Sequence, residues 1–222
     1  RMTGDVRYAD YYERAMFNHI LSTQHPEHGG YVYFTSARPA HYRVYSAPNS
    51  GMWCCVGTGM ENHGKYGEFI YTHTDDELYV NLFVASQLNW KEKKFVIKQE
   101  TNFPSEETVR LTVDSRKAQT LKIKIRCPWW VKPGEMKVIC KGKDYAVGAQ
   151  PSSYIEIERR WKKGDVIEVT MPMTITVEEL PNLPNYIAIM RGPILMGARM
   201  GDYRLDGLVA NDGRWAHIAH GP

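Results

Sequence analysis

Glu77-Leu78-Tyr79-Val80-Asn81-Leu82-Phe83-Val84 sets Leu78, Val80, Leu82 and Val84 in alternation with Tyr79, Asn81 and Phe83. A two-residue period sends successive side chains to opposite faces, which is the signature of a strand with one face in a core. The same rhythm returns downstream in Lys94–Lys98, Thr108–Val113, Leu121–Ile125, Met136–Cys140, Tyr154–Glu158, Val166–Met171 and Thr174–Val177. Gly, Pro, Asp and Ser punctuate these runs, and Tyr186–Met190 and Pro193–Ala198 add two apolar strands around Arg191-Gly192. Many short strands with regular turn signals predict an antiparallel β-sandwich over residues 77–200.

Working back from Glu77, the chain changes character. Tyr8, Tyr11, Tyr12, Ala15, Met16, His19 and Ile20 recur at three and four residues, which predicts a helix from about Asp5 to Thr23 with an aromatic stripe on its packed face. Pro26, Gly29 and Gly30 end it, and Tyr31-Val32-Tyr33-Phe34-Thr35 reads as a short strand. A loop from Ala47 to Gly51 then leads into Trp53-Cys54-Cys55-Val56-Gly57-Thr58-Gly59-Met60-Glu61-Asn62-His63-Gly64-Lys65-Tyr66-Gly67-Glu68, a helical segment that opens on two cysteines. Met60, His63, Gly64, Gly67 and Ile70 are expected on its packed face.

Sulfur at a helix start meets unpaired N–H groups and the positive end of the dipole, so a thiol there ionises more readily. Cys54 and Cys55 are therefore candidate thiolates, as metal ligands or as a nucleophile, with buried filler as the plain alternative. A strained vicinal disulfide serving redox chemistry is a third reading. Glu61 and Glu68 lie on one helix face, but Glu61 can pair with Lys65 four residues on, and neither is assigned catalysis. Cys127 and Cys140 read as core or edge thiols.

Composition excludes several classes. Hydrophobic residues at 43% and charged residues at 24% of 222 are those of an ordinary globular protein. A net charge of +3 announces no nucleic-acid partner. Lys122, Lys124 and Arg126 alternate with apolar residues and read as the wet face of one strand, and Arg159–Asp165 reads as a hairpin turn. No apolar run approaches the roughly 20 residues of a membrane span, and no signal-peptide pattern opens a chain that reads as cut at both ends. In the tail, 201–222, Asp202, Asp206, Asp212, His217 and His220 match no metal template, and the segment reads as an irregular connection.

Thr3–Ala15, Asn18-His19-Ile20-Leu21 and Trp53–His63 are similar to the β-L-arabinofuranosidase-type glycoside hydrolases, family 127 and its relative 146, and Glu158–Asp165 and Met171-Pro172-Met173 resemble the sandwich that follows the catalytic domain there. The resemblance implies a mainly β chain: the last helices of an (α/α) barrel over 1–76, a β-sandwich over 77–200, and a truncated tail. It implies an oligo- or polysaccharide substrate, and it favours a periplasmic or secreted location, with a cytoplasmic one as the alternative. It also implies a retaining mechanism with Cys54 as nucleophile, Cys55 as a companion zinc ligand and Tyr33 beside the nucleophile. Two further zinc ligands and the acid/base Glu fall before Thr3 in the family, so the chain alone is expected to be inactive and to bind zinc weakly or not at all. Val56-Gly57-Thr58-Gly59 departs from branches that carry a proline there, which leaves sugar and linkage open. A noncatalytic carbohydrate-binding or scaffolding module presenting Trp129, Trp130 and Trp161 is the alternative.

Overall fold

The computed structural model describes residues 3–203, 205, 207–211 and 213–220, so Asp206 and Asp212 lie outside the described residues. Helices α1 (Val6–Ala15), α2 (Cys54–His63) and α3 (Gly67–Ile70) occupy the first third of the chain. The strands are β1 (Tyr45–Ser46), β2 (Tyr71–His73), β3 (Glu77–Val80), β4 (Ser86–Trp90), β5 (Phe95–Thr101), β6 (Thr108–Val113), β7 (Gln119–Cys127), β8 (Lys137–Cys140), β9 (Lys143–Asp144), β10 (Ser153–Trp161), β11 (Val166–Thr170), β12 (Ile175–Leu180), β13 (Leu183–Arg191), β14 (Ile194–Leu195) and β15 (Val209–Ala210). The chain forms two compact units, residues 1–14 with 67–196 and residues 15–66 with 197–222. These cuts fall at other places than the sequence division at 76 and 200, because residues of the tail cluster with those around the cysteines.

The first unit is mainly β. One sheet runs β10-β7-β3-β2, a second runs β4-β5-β6-β11-β8-β9, and β12-β13-β14 form a third. Each of the two larger sheets buries one face: Leu78, Val80, Ile123, Ile125 and Ile157 from one, Phe95, Ile97, Leu111, Val138 and Ile167 from the other. That is the layering of a β-sandwich, in which alternating apolar side chains meet and their neighbours stay wet. All pairs in these sheets are antiparallel except β3 with β7, which run parallel in the register Leu78 to Ile123 and Val80 to Ile125.

The opening run is a strand only through Val80. Beyond it Asn81, Leu82 and Phe83 are all buried, so the alternation that predicts a wet Asn81 and Phe83 fails there. The Asn81 side chain is satisfied by Thr72 Oγ1 at 2.9 Å and by the Tyr154 hydroxyl at 2.7 Å. Arg159–Asp165 does turn the chain, but β10 and β11 belong to different sheets, so it is a corner and not a hairpin. Asp165 holds that corner by accepting from the Lys162 N–H at 3.0 Å and by pairing with Lys141 at 2.9 Å.

Two sequence expectations about charge and aromatics also change. Lys122 and Lys124 do share an outer face with Glu77 and Glu156, at 3.0–3.4 Å, but Arg126 is fully buried. The reason is α1, whose inward residues are Ala9, Asp10 and Glu13, while Tyr8 and Tyr11 of the expected aromatic stripe are exposed. Cys127 and Cys140 are buried, as core thiols should be.

In the second unit the helical path continues from α1 as a π turn over Met16–Ile20 and a 3-10 turn over Leu21–Thr23. Tyr31–Thr35 is not a strand. Tyr31 and Val32 make only isolated bridges, to Gln24 and Tyr45. The segment is held instead by the Tyr31 N–H donating to Ser46 Oγ at 3.0 Å. β1 pairs in parallel with β15, Tyr45 opposite Val209. Among the described residues no helix is long and apolar enough to cross a membrane.

Candidate functional site

The geometry begins with the loop before α2. Gly51 sits at φ +64°, where a side chain is disfavoured, and the Trp53 N–H returns to the Gly51 carbonyl at 2.8 Å. Trp53 is extended and its carbonyl accepts from the Gly57 N–H at 3.0 Å, so Cys54 and Cys55 are the first two residues of α2. Both are exposed at the helix start, where unpaired N–H groups favour negative charge.

Packing fixes the helix behind them. Its buried residues are Val56 and Gly59, while the expected face residues Met60, Gly64 and Gly67 are exposed. A Cβ on Gly59 would stand 3.2 Å from Tyr31 Cδ1, so a larger residue fits there only if the Tyr31 ring gives way by a few tenths of an ångström. The α-helix ends at His63, followed by a turn, so Gly67 and Ile70 belong to a separate helical turn. His63 has both ring nitrogens engaged, with Thr23 Oγ1 at 3.3 Å and Tyr66 Oη at 3.0 Å, which makes it a packing residue. Glu61 is exposed and pairs with Lys65 at 3.6 Å.

Three sequence-predicted residues come together. The Tyr33 hydroxyl lies 3.7 Å from Cys54 Sγ, and Cys54 Sγ lies 3.9 Å from Cys55 Sγ. The Cys54 pKa is lowered from the ordinary thiol value by the hydrogen bond from Tyr33 and then by that from Cys55. Cys55 and Tyr33 are raised for the converse reason, each sharing a hydrogen bond with Cys54. In both contacts either atom can be the donor, so a charge placed on Cys54 is one that Tyr33 and Cys55 could each donate to.

The tail supplies neighbours that no motif marks, among them His217, whose spacing matches no metal template. The 3-10 turn Arg214–His217 lies against Tyr33 and Phe34: Trp215 stacks on Phe34 at 6.2 Å and 21°, and the His217 ring is 5.9 Å from that of Tyr33. His217 is buried without a hydrogen-bond partner on either ring nitrogen among the described residues, and burial lowers its pKa. A sequence separation of about 180 residues carries no local period or motif that could have signalled these neighbours.

The donor set can be tested against zinc. Two sulfurs each about 2.3 Å from one tetrahedral zinc stand about 3.8 Å apart. The observed 3.9 Å therefore suits Cys54 and Cys55 as two ligands of one ion. Among the described residues no group of three or more His, Cys, Asp or Glu side chains is placed to hold a metal. Two of the three tryptophans of the noncatalytic alternative are not presented to solvent. Trp161 is buried with Nε1 on the Leu121 carbonyl, Trp130 is buried on Glu13, and Trp129 is half-buried.

Comparison with known proteins places these features. Residues 1–68 match the model of the "Beta-L-arabinofuranosidase, GH127 catalytic domain" and residues 77–173 that of the "GH127 middle domain". Residues 176–222 match a domain of unknown function. Among solved structures, a glycoside hydrolase aligns at 29% identity and TM-score 0.72 over 87% of this chain and 34% of its own. A GH127 β-L-arabinofuranosidase from Geobacillus stearothermophilus T6 aligns at 26% identity and TM-score 0.71, over 87% of this chain and 33% of its own. A further GH127 β-arabinofuranosidase aligns at 26% and TM-score 0.73 with the same coverage. The chain thus spans about a third of the length of these structures. No curated protein matches it.

Proposed function

This chain belongs to glycoside hydrolase family 127, and from that membership we propose that it is the portion of a retaining, β-L-arabinofuranosidase-like hydrolase that carries the nucleophile, Cys54. The observation that carries the reading is the grouping of Tyr33, Cys54 and Cys55 at the start of α2, with the Tyr33 hydroxyl 3.7 Å from the Cys54 sulfur.

The proposed chemistry follows from what these residues offer. The Cys54 thiolate attacks the anomeric carbon, the bond to the departing oxygen breaks, and a glycosyl thioether forms. The departing oxygen takes its proton from a glutamic acid assigned to the part of the family fold that this chain does not span. Water, deprotonated by the same group, then attacks the anomeric carbon and the C–S bond breaks, returning the Cys54 thiolate and retaining the sugar's configuration. Tyr33 solvates the thiolate before attack and after release. When bound, a zinc ion held by Cys54 and Cys55 with ligands from elsewhere in the enzyme would keep the thiol ionised.

The test is Cys54→Ala in the complete enzyme, assayed on an aryl β-L-arabinofuranoside. Loss of a nucleophile should lower kcat by about a thousandfold or more, with folding unchanged. Sugar cleavage at the original rate would end the assignment.

A further inference from the structure

At the β4–β5 end of the six-stranded sheet lies a groove of about 550 Å³ whose lining is basic. The turn Lys91–Lys94 joins β4 to β5, and its Lys94 N–H returns to the Lys91 carbonyl at 3.1 Å. Lys94 stands at φ +51°, a left-handed conformation that glycine or asparagine takes at less cost. Lys93 turns away to Asp76 at 2.8 Å and to Trp90, which leaves Lys91 and Lys94 on the groove. Arg116 and Lys117 come to it on the loop after β6. That loop is tied to β5, where the Asp114 N–H donates to the Val96 carbonyl at 2.9 Å and the Val96 N–H donates to Ser115 Oγ at 2.8 Å. Among the described residues none of these four cations has an ion-pair partner, and the one carboxylate lining the groove, Asp114, is held by Lys163 at 2.8 Å.

We infer that this groove binds an acidic polysaccharide, a chain of uronic acid residues, through Lys91, Lys94, Arg116 and Lys117. Four cations in one recess, without carboxylates to neutralise them, focus a positive field there, and the ligand that relieves their mutual repulsion is a polyanion. Gln87 and Asn89, exposed on β4, line the same groove with side-chain amides that have no partner among the described residues. Each amide offers both donor and acceptor, which matches the hydroxyls of a sugar. Nucleic acid is disfavoured by the lining, which among the described residues holds no aromatic ring on which a base could stack. Cations that merely guard the free edge of a sheet would sit on the edge strand β4, whereas Arg116 and Lys117 follow β6, with β5 between. The carbohydrate class rests on the family to which the chain belongs and not on Cys54, so the inference adds a second site, on the part that matches the middle domain.

The experiment uses this chain and reads the anisotropy of a fluorescently labelled oligogalacturonate at low salt. Lys94→Gly and Arg116→Gln should each weaken binding about twofold to fivefold, the range of one exposed ion pair, and together about fivefold to twentyfold. Lys94→Gly relieves the left-handed turn and should not lower the urea midpoint, so a loss of binding there is a loss of charge and not of fold. Lys117→Gln takes the place of Arg116→Gln if that variant folds poorly by circular dichroism. The charge-matched pair Lys137→Gln and Lys143→Gln, on β8 and β9 at the opposite edge of the same sheet, should stay within about twofold of the original. The methyl-esterified oligomer, the same sugar without its charge, should bind at least about tenfold more weakly, and physiological salt should weaken the acidic one. No measurable binding of the acidic oligomer, equal losses in the two double variants, or single-stranded DNA or phosphatidylserine vesicles binding as tightly as the uronate chain would overturn the inference. Sugar cleavage surviving Cys54→Ala in the complete enzyme would instead sink the nucleophile assignment and leave this result standing.

Discussion

Arg126 shows how one side chain decides what an alternating strand means. Its guanidinium is buried and donates from Nε to the Asn81 carbonyl at 2.6 Å, from Nη1 to Asp10 at 2.7 Å and from Nη2 to Glu13. Glu13 also accepts from Trp130 Nε1 at 2.9 Å, and Asp10 from Ser152 Oγ at 2.6 Å, so both carboxylates are satisfied only while this cluster is whole. Removing the single cation leaves two buried carboxylates without their partner, a loss of about 3–5 kcal/mol. Arg126→Met should therefore lower the urea midpoint strongly at an unchanged slope. Lys122→Met, on the same strand and facing Glu77 and Glu156 near water, should cost about 1 kcal/mol or less. Equal losses for the two would show that the Arg126 cluster is not what holds α1 onto β7.

At the scale of elements, α2 offers a contrast between two glycines of one helix. A Cβ on Gly57 would meet nothing within 4 Å, whereas one on Gly59 would press on Tyr31. Alanine is favoured over glycine inside a helix by about 1 kcal/mol, so Gly57→Ala should stabilise the chain by up to that amount. In Gly59→Ala the same gain is offset by overpacking worth about 1–3 kcal/mol, so the midpoint should stay level or fall. A rise in both variants would mean that Tyr31 yields freely and does not brace the helix behind the cysteines. The start of helix α2 was legible because the loop before it is a local signal, and β5 to β8, β10 and β11 were legible for the same reason, since a period of two needs no knowledge of the partner, whereas β4 and the two-residue β9 carry no such period. What the period could not show is which sheet a strand joins. Trp161 to Val166 crosses between sheets, and the outer stripe of β7 passes under α1 at Arg126, both set by contacts between residues far apart in the chain.

For the molecule as a whole, the division into units explains why the site was only half visible beforehand. Tyr33, Cys54 and Cys55 could be named from a family resemblance, but Trp215 and His217 come to Phe34 and Tyr33 through the pairing of β1 with β15, and no spacing in the sequence announces a two-residue parallel pair. The same view bears on metal. Sulfurs 3.9 Å apart suit one zinc ion, yet a zinc site needs at least three protein ligands, and among the described residues Cys54 and Cys55 gain no third donor. The family fold extends over about three times this length, which leaves room for the remaining ligands and the acid elsewhere. This chain, dialysed against metal-free buffer, should retain well under one zinc per molecule by atomic absorption and should not cleave an arabinofuranoside. The complete enzyme should retain close to one and lose it on Cys55→Ser. Stoichiometric zinc on the chain alone would show that a third and fourth donor lie within it, and would move the search for them into its own residues.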